Sequence, residues 1–575
     1  MFSSLPIPFQ AIVWPLIGAA LILATRRLLP NWARRLLAMM AALASLVVLW
    51  ALRAGPAERV ELYWEPLNLF RMSPLWYADA LSLLGGLLLA GTTFGVVLGI
   101  RGQKSRTTVW HGLTLIALTA SLAMAMAANL LALALGSALL DLALLAIVVS
   151  TTDGAGGGKG MPMSVAVPGI ASTLILFLGA LQMDVQVGHA SLLSQKLPEG
   201  GLVLVGVAGV VRSLVFPLHP RRQGTPEMAA TLLLPVGVGG LLLTRVQTLA
   251  PVQSGHPWLL AVAVIALLAG GLLAWSGGGG STERSGFWPG ALVHQTGFTL
   301  TFLLVLAGAA PWPLVSLIPA LGALAIWWDS SREKEAMARP GWLSWISHQA
   351  SSWWAKALSY SAERVPVLAR WDASRFTRRG RGLLLAVALG SLAGAPLTAG
   401  ARARWPFYAA WLRRGDATLL IILAADTFLT AGLWIAARAV WMQAREHRPG
   451  LAPQLAMIAL IIPLLVLGIA PGILGEGVRL KAIDTPDVSR WGLGLLYVLP
   501  WLLGAWLART RSSLSDHLAS VRVVVNLDWL YRGAGWVGRR LESAGYWLGK
   551  VGEGDGWWGW VLIILALGVI LLQAR

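Results

Sequence analysis

Apolar positions in this chain fall in long, nearly unbroken runs, and polar positions gather in short stretches between them. A helix needs about 20 apolar residues to cross the hydrocarbon of a bilayer. The runs predict about sixteen transmembrane helices, over 8–25, 36–52, 76–100, 108–127, 129–150, 163–183, 201–219, 228–249, 257–275, 287–309, 312–328, 382–404, 416–440, 453–475, 490–508 and 557–573. Several are interrupted by Gly or Pro, which membrane helices tolerate when neighbours satisfy the freed backbone. The first run has no basic segment ahead of it, so it predicts a spanning helix and not a cleaved signal peptide.

The polar stretches alternate in charge. One side receives Arg26, Arg27, Arg34 and Arg35, then Arg101, Lys104 and Arg106, then Lys159, Arg221, Arg222 and Arg284. The same side takes the basic residues of 332–381, Arg445, Arg448 and those of 509–550. The other side carries Glu58, Glu61, Glu65, Asp184, Glu199 and Asp484, with Arg402 to Arg414 as the exception. Basic loops stay in the cytoplasm. The expectation is a multi-pass protein of a prokaryotic cell membrane with both termini on the outer face.

Two stretches are neither spans nor short loops. Residues 329–381 hold Trp342, Trp345, Trp353 and Trp354 among polar residues, and 512–552 contain LDWLYRGAGWVGRRLESAGYWLGKV. Both read as amphipathic helices on the cytoplasmic face, with aromatic rings at headgroup level and arginines snorkelling. A disordered loop is the alternative for 329–381. GAGGGKG and SGGGGSTERSG read as flexible linkers.

Composition narrows the chemistry. Charged residues make up 12% of the 575 residues, against about 25% in soluble domains, so the bilayer serves as solvent. There is no cysteine, which excludes disulfides, thiolate metal sites, cysteine-held iron–sulfur clusters and cysteine nucleophiles. The net charge of +19 sits in short loops, so it points to topology and anionic lipid, not nucleic acid. GAGGGKG lacks the Lys-Ser/Thr ending of a phosphate loop. No metal-ligand spacing or paired-carboxylate site is present, and no cofactor is expected.

Several motifs recur in a definite order. WYADALS (76–82) places Asp79 at the start of the third span. RSLVFPLHP (212–220), with TPEMAA after it, marks the seventh, LVHQTGF (292–298) the tenth and SLAGAPLTAGARARW (391–405) the twelfth. LDWLYR (527–532) lies near the C-terminus. Together they resemble the antiporter-like subunits of respiratory complex I, of Mrp-type cation/proton antiporters and of membrane-bound hydrogenases. The resemblance spans roughly 70–475 plus the C-terminal element. Pro217 interrupts the seventh span and Gly394–Ala395–Pro396 the twelfth. Five spans apart, they run in opposite directions, as inverted-repeat transporters require. The expected fold is all-α and polytopic, with two inverted five-helix repeats and a short amphipathic lateral helix. Residues 1–107 would be flanking helices, 108–250 the first repeat and 251–445 the second, with the insertion 329–381. Residues 446–575 would be C-terminal helices with the lateral segment 512–552.

The resemblance implies a proton path through a Glu on the fifth span, lysines on the seventh, eighth and eleventh, and a Lys or Glu on the twelfth. This sequence departs from that pattern. Ala138 takes the Glu position, with Asp141 one turn on, and Arg212 takes the Lys position of the seventh span. The eighth lacks the expected His and Lys, and the eleventh has no charge in LVSLIPALGALAIWW. Arg404 sits near the Lys position of the twelfth, and Asp426 near the middle of the thirteenth. Ionisable residues inside spans are costly and usually functional. Two pairs are expected, Asp141–Arg212 and Arg404–Asp426, as coupling pairs or as static remnants of a lost relay. An arginine balances charge but stays protonated. His219 reads as structural or as part of a proton path. His294, beside Gln295, reads as structural or as holding a water chain in a proton path.

The expected function is that of a membrane-arm subunit in a proton-translocating NADH:quinone oxidoreductase-like or hydrogenase-like assembly. It would have no catalytic centre, so redox chemistry would belong to partners. An Mrp-type antiporter subunit and a non-conducting scaffold are the alternatives. Partners would be other membrane subunits, anionic lipids, and protons or Na+.

Overall fold

The computed structural model describes residues 6–26, 28–52, 59–61, 74–100, 107–152, 161–187, 199–214, 225–249, 257–277, 284–306, 311–332, 373–444, 451–471 and 490–510. His219, Pro217, the linker 154–160, most of 329–381, the segment 512–552 and the sixteenth span lie outside these residues.

The first helices are α1 (Ile7–Ala24) and α2 (Asn31–Leu52). A short antiparallel ladder follows, β1 (Arg59–Glu61) on β2 (Leu75–Tyr77), with Val60 opposite Trp76. This ladder is an addition to the all-α expectation. Next come α3 (Ala80–Gly99), α4 (Thr107–Ala125), α5 (Leu130–Thr152), α6 (Met161–Val187), α7 (Glu199–Arg212), α8 (Pro226–Thr231) and α9 (Leu233–Leu249). The chain continues through α10 (Pro257–Gly277), α11 (Arg284–Val305), α12 (Trp312–Arg332), α13 (Ala373–Ala393) and α14 (Ala399–Arg414). It closes with α15 (Thr418–Ala444), α16 (Leu451–Ile469) and α17 (Arg490–Thr510).

Each of the first fifteen predicted spans overlaps one of these helices, with α8 and α9 together forming the eighth. Among the described residues, nine helices are long and apolar enough to cross a membrane, and shorter apolar helices accompany them. The chain is a multi-pass membrane protein. Burial sorts the helices. The apolar window of 226–249 is wholly buried and that of α12 is 94% buried, whereas α17 is 17% buried. So α8, α9 and α12 form the centre of the bundle, and α17 presents its apolar side chains outward.

The twelfth span was expected as one helix over 382–404. It is two, α13 and α14, separated at 394–398. Gly394 has φ +81° and Leu397 φ +64°, and Pro396 has no N–H to continue the ladder. A side chain at Gly394 would also overlap Arg404. The seventh span is shortened in the same manner. It ends as α7 at Arg212, and Leu214 turns to φ +53°. The break in the twelfth span is braced from α16, where Arg402 Nε donates to Gly468 O at 3.0 Å. That contact gives the exceptional arginine of the acidic side a role inside the fold. Ser316 of α12 reaches the last turn of α13, its Oγ donating to Ser391 O at 2.9 Å.

Helices in lipid gain little from hiding apolar surface, so small residues that allow close approach hold them together. In α10 and α11 the backbones meet. A Cβ on Gly270 would overlap His294 N, and one on Gly290 would overlap Ala274 N. Gly271 and Gly432 bring α10 equally close to α15. Gly290→Ala is expected to destabilise the purified protein by about 1–3 kcal/mol through overpacking. Gly200→Ala meets nothing within 4 Å and should leave thermal unfolding in detergent unchanged or slightly raised. Equal melting temperatures for wild type and Gly290→Ala would contradict this packing.

Candidate functional site

Hydrocarbon offers no hydrogen bonds, so an ionised side chain inside the bundle needs its partners within reach. Arg–Asp pairs meet this need at three places in the bundle.

The first is built on α5, α6 and α7. Arg212, the last residue of α7, is 1% exposed. Its Nη1 lies 3.0 Å from Asp141 Oδ1 and its Nη2 3.0 Å from Asp141 Oδ2, a two-pronged pair. The remaining donors are also engaged. Nε donates to Ser172 Oγ at 3.2 Å, and Nη2 meets Thr173 Oγ1 at 3.0 Å, Gly169 O at 3.2 Å and the Ser137 hydroxyl. The Thr173 hydroxyl donates to Asp141 as well. Gly169 is needed here because a Cβ would stand 2.5 Å from Asp141 Oδ1. Among the described residues, Asp141 accepts from the Arg212 guanidinium and from the Thr173 hydroxyl, while Ser137 and Ser172 accept from Arg212.

The second centre forms around Asp426 of α15, which is 1% exposed. Arg404 of α14 pairs with it through Nη1, and the Tyr408 hydroxyl donates to Oδ2. Oδ1 also lies 3.1 Å from Nε2 of His294 on α11. Arg404 Nη2 donates to Leu392 O at 3.0 Å, a carbonyl left without a helical partner at the break after α13. The guanidinium stands 4.7 Å over the Phe298 ring, a cation–π contact. Gln295, beside His294, donates its Nε2 hydrogen to Leu392 O at 2.6 Å, so it ties α11 to the break.

The third pair joins Asp79 to a residue that the sequence reading passed over. Arg245 Nη2 of α9 lies 3.0 Å from Asp79 Oδ1 and donates to Ser82 Oγ at 2.8 Å. Asp79 also caps α3, accepting from Ser82 N at 2.7 Å. The signal was available, because Arg245 is an ionisable residue inside the predicted span 228–249. Tyr408 and the hydroxyls around Arg212 carried no comparable signal, since their role depends on which helices meet.

This fold is shared with solved membrane complexes. A chain of the Mrp complex from Dietzia sp. superposes with a TM-score of 0.69 at 17% identity, covering 98% of this chain and 63% of that one. A chain of the membrane-bound sulfane sulfur reductase, an archaeal respiratory membrane complex, gives 0.65 at 16% identity, covering 98% and 99%. One of respiratory complex I from Thermus thermophilus gives 0.57 at 16% identity, covering 81% and 98%. The chain thus spans about two thirds of the Mrp chain and nearly the full length of the other two. No protein-family model and no curated protein matches the sequence. The likeness is one of fold, and it agrees with the resemblance drawn from the motifs to the antiporter-like subunits.

The two deep centres differ in what they can do chemically. The first holds one arginine and one carboxylate, and an arginine keeps its proton. The second adds an imidazole, whose ordinary pKa lies near neutrality. Removing one member of a buried pair costs about 3–5 kcal/mol, because the other charge is left unpaired. Arg404→Met is therefore expected to lower thermal stability more than the double variant Arg404→Met/Asp426→Asn. A double variant no more stable than the single one would show that the pair is not coupled.

Proposed function

We propose that this chain is the antiporter-like, membrane-arm subunit of a multi-subunit complex that moves protons, or Na+, across a prokaryotic cell membrane. Redox chemistry in such an assembly belongs to partner subunits, as in a complex I-like or hydrogenase-like machine. The observation that carries this reading is the placing of Arg212 and Arg404. Arg212 ends α7 and Arg404 lies in the second turn of α14, just after the break at 394–398, and each is paired with an aspartate on a neighbouring helix. Residues 108–250 and 251–445 are then two inverted five-helix units with one pair each. A helix break lets a charge pair shift without unfolding a whole helix, and it frees backbone carbonyls inside the membrane. The fold shared with respiratory complexes along nearly the whole chain supports an assembled subunit.

In this reading the second unit exchanges the proton. His294 can receive or release one beside Asp426, while Arg404 holds or yields the carboxylate. The first unit senses charge and keeps its own proton inventory fixed. Asp79, Arg245 and His219 complete the set of path candidates.

A non-conducting scaffold is the second reading, and one observation favours it. All seven lysines lie outside the described helices. The central helices α9 and α12 bring Leu234, Gly237, Leu314 and Ile318 where a relay would need titratable groups. An Mrp-type antiporter subunit is the remaining form of the first reading.

Proton translocation per electron pair, measured on the purified assembly in proteoliposomes, separates these readings. His294→Gln and Asp426→Asn are expected to lower it while the redox turnover of the partners persists. Asp141→Asn and Arg212→Met are expected to weaken the coupling between turnover and pumping. Unchanged stoichiometry in all four variants would establish the scaffold and dismiss the conducting role.

A further inference from the structure

Four helices form the amino-terminal side of the bundle, with α1, α2 and α4 packed together and α3 beside α2 and α4. They carry no Asp or Glu, since none occurs at 1–57 or at 80–140. Yet the first turn of α2 buries a guanidinium. Arg34 is at the rim of the bundle and is only 7% exposed. Its Nη2 donates to Asn31 Oδ1 at 2.7 Å. Its Nε and Nη1 are enclosed and have no hydrogen-bond partner among the described residues. Beside it, the Arg35 Nε donates to Val97 O at 3.0 Å at the end of α3. His111, on the second turn of α4, is 3% exposed, and its Nδ1 also has no partner. Helices α2, α3 and α4 pack on one another and Arg35 meets the end of α3, so the first turn of α2 and His111 near the start of α4 lie at the same end of the bundle. The segment 101–106, RGQKSR, adds three basic residues to the chain between α3 and α4.

Enclosed charged donors left unmade are expensive, on the order of 1–3 kcal/mol or more for each. Arg212, Arg245 and Arg404 avoid that cost with aspartates; Arg34 has none on the helices that surround it. Among the described residues nothing accepts from Arg34 Nε and Nη1, which leaves them open to an anionic ligand. A guanidinium fork matches the oxygens of a phosphate. This end of the helices is the one that the basic loops assign to the cytoplasm, where anionic headgroups concentrate. The neighbouring face of α2 suits an acyl chain, because Leu36, Met40, Val47 and Trp50 are exposed along it.

We propose that Arg34, Arg35 and His111 form a binding site for the phosphate of an anionic phospholipid, seated between α2, α3 and α4 with its acyl chains along α2. Arg34 supplies the fork, Arg35 the fixed second charge and His111 a further N–H. The bound lipid would seal the amino-terminal helices against the bilayer independently of the Arg–Asp centres.

The test uses the full chain in neutral detergent, with phosphatidylglycerol, phosphatidylcholine or inorganic phosphate added. Bound lipid is counted by native mass spectrometry, and stability is followed by thermal unfolding. Phosphatidylglycerol is expected to raise the melting temperature, and phosphatidylcholine is not. Arg34→Met should bind phosphatidylglycerol about tenfold more weakly; Arg34→Lys and His111→Gln should fall between. Arg413→Gln, an exposed arginine on α14, should bind like wild type. Without lipid, Arg34→Met should unfold no earlier than wild type, because it removes an unpaired charge. Equal binding by wild type and Arg34→Met, or an equal loss in Arg413→Gln, overturns the site. Earlier unfolding of lipid-free Arg34→Met would make Arg34 structural, and a rise with inorganic phosphate as large as that with phosphatidylglycerol would overturn the lipid assignment.

Discussion

A guanidinium in hydrocarbon has to carry its counter-charge with it. Insertion of an unpaired arginine at the middle of a bilayer costs about 2.5–3.5 kcal/mol on the most lenient scale, and a bundle with several of them would not hold. The deep arginines of this protein dictate which helices meet. Arg212 brings α5 and α6 to the end of α7. Arg404 gathers α11, α13 and α15 around the start of α14. Arg245 fastens α9 to the first turn of α3. Glycines on the facing helices make room for these side chains and for their partners. Gly169 yields to Asp141, Gly394 to Arg404, and Gly270 to the backbone of His294.

The interrupted helices are part of the same solution. A helix that stops inside the membrane leaves carbonyls unpaired, and these must be met by donors from elsewhere. Leu392 O receives both Arg404 and Gln295, and Gly468 O receives Arg402. Charge and break therefore stabilise each other: the arginine needs acceptors, and the break supplies them. Arg212 instead finds its acceptors on α5 and α6, although the chain turns at Leu214 just after it.

An arginine in a place where the resembled family has lysine changes what a buried pair can do. Lysine can surrender its proton when burial strips its solvation, whereas arginine remains a fixed charge. In the proposed function, mobility of the proton passes to His294 and mobility of the charge to the Arg404–Asp426 contact. Between α9 and α12 the described residues at the centre of the bundle include Leu234, Gly237, Leu314 and Ile318.

Run length was enough to locate helices at the first fifteen predicted spans, because a bilayer imposes one thickness and one solvent on every helix that crosses it. The ionisable residues inside those runs were legible for the same reason, and Asp141, Arg212, Arg404 and Asp426 stood out against an apolar background. Their partners were legible only in part. That Tyr408 and His294 share Asp426, or that Arg245 reaches back to Asp79, depends on contacts between helices far apart in the chain. Nor did a run of apolar letters reveal that 382–404 is two helices, or that residues 59–61 pair with 75–77. Spans follow from local hydrophobicity, which each segment carries in itself. Partners follow from the close approach of backbones, which small residues permit but only the assembled bundle decides.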